Sequence, residues 1–163
     1  MRQLTNELIE DRFGKPDGIA GVATGGIALG ALVAQEMGLP FCYVRSSAKA
    51  HGTGQQVEGD LDTMRNVVVI EDLISTGKSS LNAVAALREA NLEVKGLVAI
   101  FSYGFDDSVA RFEESKCAFE VLTDYPTMLE QALSEQYITQ EQAALLESWS
   151  SDPVAWSEQQ IQS

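Results

Sequence analysis

The sequence predicts an open, mainly parallel α/β sheet flanked by helices. Three observations carry that expectation. Short apolar runs alternate with segments of helical periodicity, the pattern of strands joined by crossover helices. The run Val67, Val68, Val69, Ile70 is β-branched throughout, as in a strand buried on both faces. A length of 163 residues with 45% hydrophobic content suits a single domain over residues 1–163, with a core that needs no disulfide or metal staple.

Leu4, Leu8, Ile9 and Phe13 recur at helical spacing and predict a first helix ended by Gly14 and Pro16. Residues 19–23 follow as a short buried strand, 24–26 as a turn, 27–37 as a helix stopped by Gly38 and Pro40, and 41–45 as the next strand. Residues 46–64 are polar, hold Gly52, Gly54 and Gly59, and show no sustained period. They are expected to form a long mobile loop with room for a short ribbon. After the strand at 67–70, a helix over 76–90 places Leu81, Val84 and Leu87 inward. Strands at 97–101 and 119–122 come next, and helices near 128–135 and 140–149 lie in an acidic C-terminal region, 125–163. In such a sheet, ligands sit beyond the carboxyl ends of the strands.

Charge and composition narrow the partners. A formal net charge of −13 argues against a general nucleic-acid or anionic-membrane binder, which needs a basic face. Any anionic ligand must therefore meet a local cluster of cations or amides. All Lys and Arg residues stand at or before Lys116, so the acidic tail beyond reads as solvated surface. Cys42 and Cys117 lie far apart without metal-ligand spacing, and no leader with a basic start and apolar centre is visible. A cytoplasmic protein is the expectation. The uncharged stretch 18–34 has the small-residue spacing of a membrane helix but is short and holds five glycines, so a strand, a glycine-rich turn and a buried helix explain it better.

The most informative stretch is 67–80, VVVIEDLISTGKSS, in which an apolar strand runs into two acids and then a small-residue turn that opens a helix. Amides at a helix N-terminus point outward unpaired, so those of Ser75, Thr76, Gly77, Lys78 and Ser79 can ring a phosphate, with Ser and Thr hydroxyls as further donors. Glu71 and Asp72 can accept hydrogen bonds from two ribose hydroxyls. One motif thereby suits a sugar and its 5′-phosphate. A Walker P-loop does not fit, because Asp72 stands where its first glycine belongs, and Gly25, Gly26 and Gly30 lack the dinucleotide spacing.

That stretch is similar to the binding signature for phosphoribosyl pyrophosphate (PRPP) of type I phosphoribosyltransferases, and it implies their fold. Residues 45–59, RSSAKAHGTGQQVEG, look like the mobile loop of the orotate-specific branch, and residues 21–27, GVATGGI, resemble the family's pyrophosphate loop. The resemblance covers nearly the whole chain. It implies transfer of a phosphoribosyl group from PRPP to orotate, giving orotidine 5′-monophosphate and pyrophosphate in pyrimidine synthesis. It assigns catalysis to Arg45, Lys49, His51 and Asp72. PRPP is expected to touch these and Thr24, Gly25, Glu71, Leu73, Ile74, Ser75, Thr76, Gly77, Lys78 and Ser79, with Mg²⁺ held mainly by PRPP near Glu71 and Asp72. Preplaced cations and Mg²⁺ stabilise charge gathering on the leaving pyrophosphate, and a closing lid excludes water. A homodimer sharing the loop across its interface is implied likewise.

Three positions depart from the pattern. Gly25 stands where the pyrophosphate loop often has a lysine, and Ser46 follows Arg45 where a second cation is common. No arginine follows the strand at 97–101; Ser102, Tyr103, Gly104 and Phe105 stand there, which leaves the orotate carboxylate unassigned, with Tyr103 and Phe105 able to stack on a planar base and Ser75 and Tyr103 named as candidates for orotate. The resemblance also implies an N-terminal hood over the base, whereas these residues start in the helix before the first strand, so weak orotate binding beside normal PRPP binding is the expectation. The alternatives are a purine-type enzyme and a regulatory protein of the same fold that senses PRPP or nucleotide.

Overall fold

The computed structural model describes residues 1–46 and 56–162. Its strands are β1 (Gly18–Val22), β2 (Phe41–Val44), β3 (Val57–Gly59), β4 (Asn66–Ile74), β5 (Glu93–Ser102) and β6 (Phe119–Asp124). Its helices are α1 (Arg2–Phe13), α2 (Gly25–Met37), α3 (Lys78–Glu89), α4 (Asp106–Glu114), α5 (Tyr125–Ser134), α6 (Gln140–Ser151) and α7 (Pro153–Gln162). The strands join one sheet in the order β3-β2-β1-β4-β5-β6. All pairs are parallel except β2 with β3, which is antiparallel; of the expected loop 46–64, β3 is the part that joins the sheet.

The pattern of β4 explains the layers. Strand side chains alternate between faces, and the valines of β4 divide accordingly. Val67 and Val69 join Val84 and Leu87 of α3 and Phe112 of α4 in one core. Val68 and Ile70 join Ile9 of α1 and Val33 of α2 in the other. All four β4 residues are fully buried, each worth roughly 1.5–3 kcal/mol relative to exposure. A β-branched run covered on both sides makes a sheet with helices on each face.

Two helices were absent from the sequence expectation. Residues 106–114 form α4 and 153–162 form α7. α4 is short and presents mostly charged residues, with Ser108 and Phe112 its buried positions, too few apolar repeats for a periodic signal. The remaining expected elements are present with shifted ends. The stretch 18–34 is a buried strand and a helix, and no helix among the described residues is long and apolar enough to cross a membrane.

The strand order also marks a candidate crevice for a ligand. From β1 the chain moves one way to β2 and the other way to β4, so the carboxyl ends of β1 and β4 flank the point where the winding reverses. Open α/β sheets bind ligands in the crevice at that point. Register pairs Gly18 with Val67 and Gly21 with Ile70, which brings the turns after both strands side by side.

Candidate active site

The β1 turn enters α2 through Thr24, its N-cap residue, and Gly25; the Ala23–Thr24 peptide is cis. The β4 turn comprises Ser75, Thr76 and Gly77 and opens α3. The two turns meet at one residue. A Cβ built on Gly25 would collide with the carboxylate of Asp72. The missing side chain lets an acid from the neighbouring strand lie over the β1 turn, and a lysine there would require Asp72 to move. This gives a packing reason for the glycine at that departure.

The two acids are adjacent in sequence but differ in surroundings. β4 continues through both as far as Ile74, paired to β5, whereas they were expected at its carboxyl end. Alternation sends their side chains to opposite faces. Glu71 is buried, 4% exposed. Its carboxylate accepts from the Ser80 hydroxyl of α3 at 2.9 Å and from the Asp72 amide at 3.1 Å. Burial, then the neighbouring Asp72, pushes its pKa up to about 7, against the pull of the Ser80 hydroxyl. Asp72 is exposed, and its carboxylate accepts from the Leu73 amide at 2.9 Å. Of the pair, Asp72 is the one that faces solvent.

The β4 turn keeps several donors free among the described residues. Gly77 adopts φ 74° at the N-cap of α3, a left-handed conformation that side chains resist. Among the described residues, no acceptor takes the amides of Thr76, Gly77, Lys78 or Ser79. Lys78 and Ser79 are exposed in the first turn of α3. Behind the turn stands α4: a Cβ on Gly77 would lie 2.9 Å from the Phe112 ring, and Arg111 Nη1 donates to the Thr76 carbonyl at 3.3 Å. Neither Arg111 nor Ser80 was singled out from the sequence.

The remaining expected residues are distributed as follows. Arg45 leaves β2 and donates to Glu58 of β3 at 3.0 Å; Tyr43 donates to the same carboxylate at 3.2 Å. Gln56 Nε2 donates to the Arg45 carbonyl at 2.6 Å. A cavity of about 200 Å³ lies between these residues and α3, lined by Val22, Arg45, Ser46, Gln56, Ser79 and Asn82. Lys49 and His51 lie outside the described residues. Leu73 is partly exposed and Ile74 fully buried. Tyr103 follows β5, its ring stacked on Phe105 at 5.3 Å and 5° and edge-on to Phe101 and Trp149.

The phosphoribosyl transferase domain family matches residues 1–134, most of the chain. The chain belongs to the phosphoribosyltransferase family. The matched span ends with α5 at Ser134, so α6 and α7 lie beyond it. Orotate phosphoribosyltransferase of Phocaeicola vulgatus is 49% identical over 151 residues, covering 93% of this chain and 71% of that protein. Among solved structures, UMP synthase of Leishmania donovani aligns at a TM-score of 0.70 and 26% identity, covering 88% of this chain and 31% of the other. Orotate phosphoribosyltransferase of Mycobacterium tuberculosis in complex with PRPP aligns at 0.64 and 23% identity over 77% of this chain and 71% of the other, which shows the shared phosphoribosyltransferase fold.

Proposed function

We infer that this phosphoribosyltransferase transfers the 5-phosphoribosyl group from PRPP to orotate, giving orotidine 5′-monophosphate and pyrophosphate. The carrying observation is 49% identity over 93% of the chain to an orotate phosphoribosyltransferase. The geometry at the carboxyl ends of β1 and β4 supports it. The free amides of residues 76–79 suit a 5′-phosphate at a helix N-terminus, and exposed Asp72 suits the ribose hydroxyls, since a carboxylate accepts stronger hydrogen bonds than a neutral group. Glu71 supports the strand end from beneath through Ser80.

In the reaction the bond from C1 of ribose to pyrophosphate breaks as C1 bonds to the base nitrogen. Charge gathers on the leaving oxygens, and Arg45, Lys49 and His51 are assigned to it. Arg45 reaches that task by exchanging Glu58 for the ligand. Mg²⁺ would neutralise the pyrophosphate and polarise it as a leaving group. The described residues contain no cluster of three ligating side chains, and one exposed carboxylate beside a phosphate site fits an ion carried mainly by its substrate. The reading includes a homodimer that shares residues 46–64 and a cytoplasmic location, both supported by the family resemblance.

The test offers orotate, uracil, adenine, guanine, hypoxanthine and xanthine with PRPP and Mg²⁺ and follows pyrophosphate release. Orotate alone is expected to support turnover. Turnover with a purine and none with orotate would replace this reading with the purine-type alternative.

A further inference from the structure

The phosphate turn is joined to α4 at two points. The Arg111 guanidinium donates to the Thr76 carbonyl at 3.3 Å across thirty-five positions of sequence, and a Cβ on Gly77 would lie 2.9 Å from the ring of Phe112. α4 itself is held down by Phe112, 1% exposed in the core, while buried Ser108 closes its first turn by donating to the carbonyl of the N-cap residue Phe105 at 2.7 Å. Arg111 also meets Asp107 at 3.5 Å, but Asp107 is 83% exposed, so water screens that pair.

The contact acts through a peptide plane. The cis bond at Ala23–Thr24 is the one present among the described residues, so Thr76–Gly77 is trans. In a trans peptide the carbonyl and the following N–H point in opposite directions. A guanidinium that draws the Thr76 carbonyl toward α4 therefore turns the Gly77 N–H away from it. That amide has no acceptor among the described residues. Glycine with φ 74° is the residue least able to hold a peptide plane by itself, because it lacks the Cβ that restricts rotation. An external anchor compensates for that freedom.

We propose that Arg111 is a positioning residue for the 5′-phosphate: by holding the Thr76 carbonyl it presets the Gly77 amide toward the ligand. The inference rests on the assignment of residues 75–79 to that phosphate. It predicts a selective effect. Ligands that carry the 5′-phosphate feel the loss of Arg111, and pyrophosphate, which belongs to the β1 turn and residues 45–51, does not.

The experiment measures binding of ribose 5-phosphate and of Mg²⁺-pyrophosphate by calorimetry to the full chain and to Arg111→Ala and Arg111→Lys. Arg111→Ala is expected to weaken ribose 5-phosphate roughly 5- to 10-fold, the scale of one ordinary net hydrogen bond, since the Arg111 contact is solvent-exposed, and to leave pyrophosphate within twofold. Arg111→Lys, which keeps a donor, recovers part of the loss, and far-ultraviolet circular dichroism and the melting temperature confirm folding. Equal weakening of both ligands, or no change in ribose 5-phosphate, overturns the role of Arg111 while leaving the phosphate site in place. Failure of the wild-type chain to bind ribose 5-phosphate removes the site assignment and this inference together.

Discussion

Two neighbouring strand–turn–helix corners of this protein share a topology and differ in chemistry. β4 turns into α3 through Ser75, Thr76 and Gly77, and β5 turns into α4 through Tyr103, Gly104 and Phe105. They lie side by side, tied by a hydrogen bond from the Tyr103 amide to the Ile74 carbonyl at 3.0 Å. The first corner is polar, and the amides of Thr76, Gly77, Lys78 and Ser79 have no acceptor among the described residues. The second is filled by rings: Tyr103 stacks on Phe105, and Trp149 of α6 meets Tyr103, Phe105 and Tyr125 at centroid distances of 5.6, 6.0 and 5.3 Å. A parallel strand end supplies the place, and side chains decide whether it becomes a binding site or a joint. The open corner then depends on the filled one, because α4 begins there and reaches back to Thr76 and Gly77.

The largest expected effect breaks the open corner alone. Asp72→Asn keeps the shape over Gly25 but removes the charge that accepts from ribose hydroxyls, so PRPP turnover should fall roughly 100-fold. The melting temperature should stay near that of the wild type. Steady-state kinetics with varied PRPP check this, and unchanged PRPP affinity and rate would end the ribose assignment.

Glu71 distinguishes burial from ligand contact within the same corner. Its carboxyl holds its proton up to about pH 7 when folded and only to the ordinary range near 4.5 when unfolded. The folded state thus binds more protons in that window. The contribution to stability is fully present below the unfolded value and is lost as pH rises through the folded one. Glu71→Gln should therefore gain on the wild type between pH 4.5 and 7.5, by at most about 3 kcal/mol. Urea unfolding at pH 5 and pH 8 measures the gap; a gap that is constant with pH would place the Glu71 proton elsewhere.

The smallest effect belongs to the filled corner. Trp149 is half-buried against three rings, and Trp149→Ala should cost about 2 kcal/mol of stability through lost apolar area and edge contacts. PRPP affinity should change less than twofold. A large loss of PRPP binding at constant stability would mean that the rings face the ligand, the role considered for Tyr103 from the sequence.

Much of this was legible along the chain because it is local. The β-branched run of β4, the glycines flanking α2, and the polar turn after Ile74 each announce themselves within a few residues, and together they imply the parallel sheet and the phosphate turn. What was not legible depends on direction and distance. Glu71 and Asp72 were read as a pair with one task, yet a strand's two-residue period puts one in the core against Ser80 and the other over Gly25. α4 carries too few apolar residues to show a period, and its place follows from the docking of Phe112 under Gly77.

The sequence by itself therefore determined the alternation of the main strands and helices, the family and the polar strand–turn–helix after Ile74, because strand propensity, turn chemistry and helix N-termini act between near neighbours. Only the tertiary structure decided which acid faces solvent, that Asp72 needs a bare glycine beneath it, and that Arg111 holds the Thr76 carbonyl. Those outcomes arise from packing between elements far apart in sequence, where the sheet's alternation and the closeness of backbones set which side chains meet.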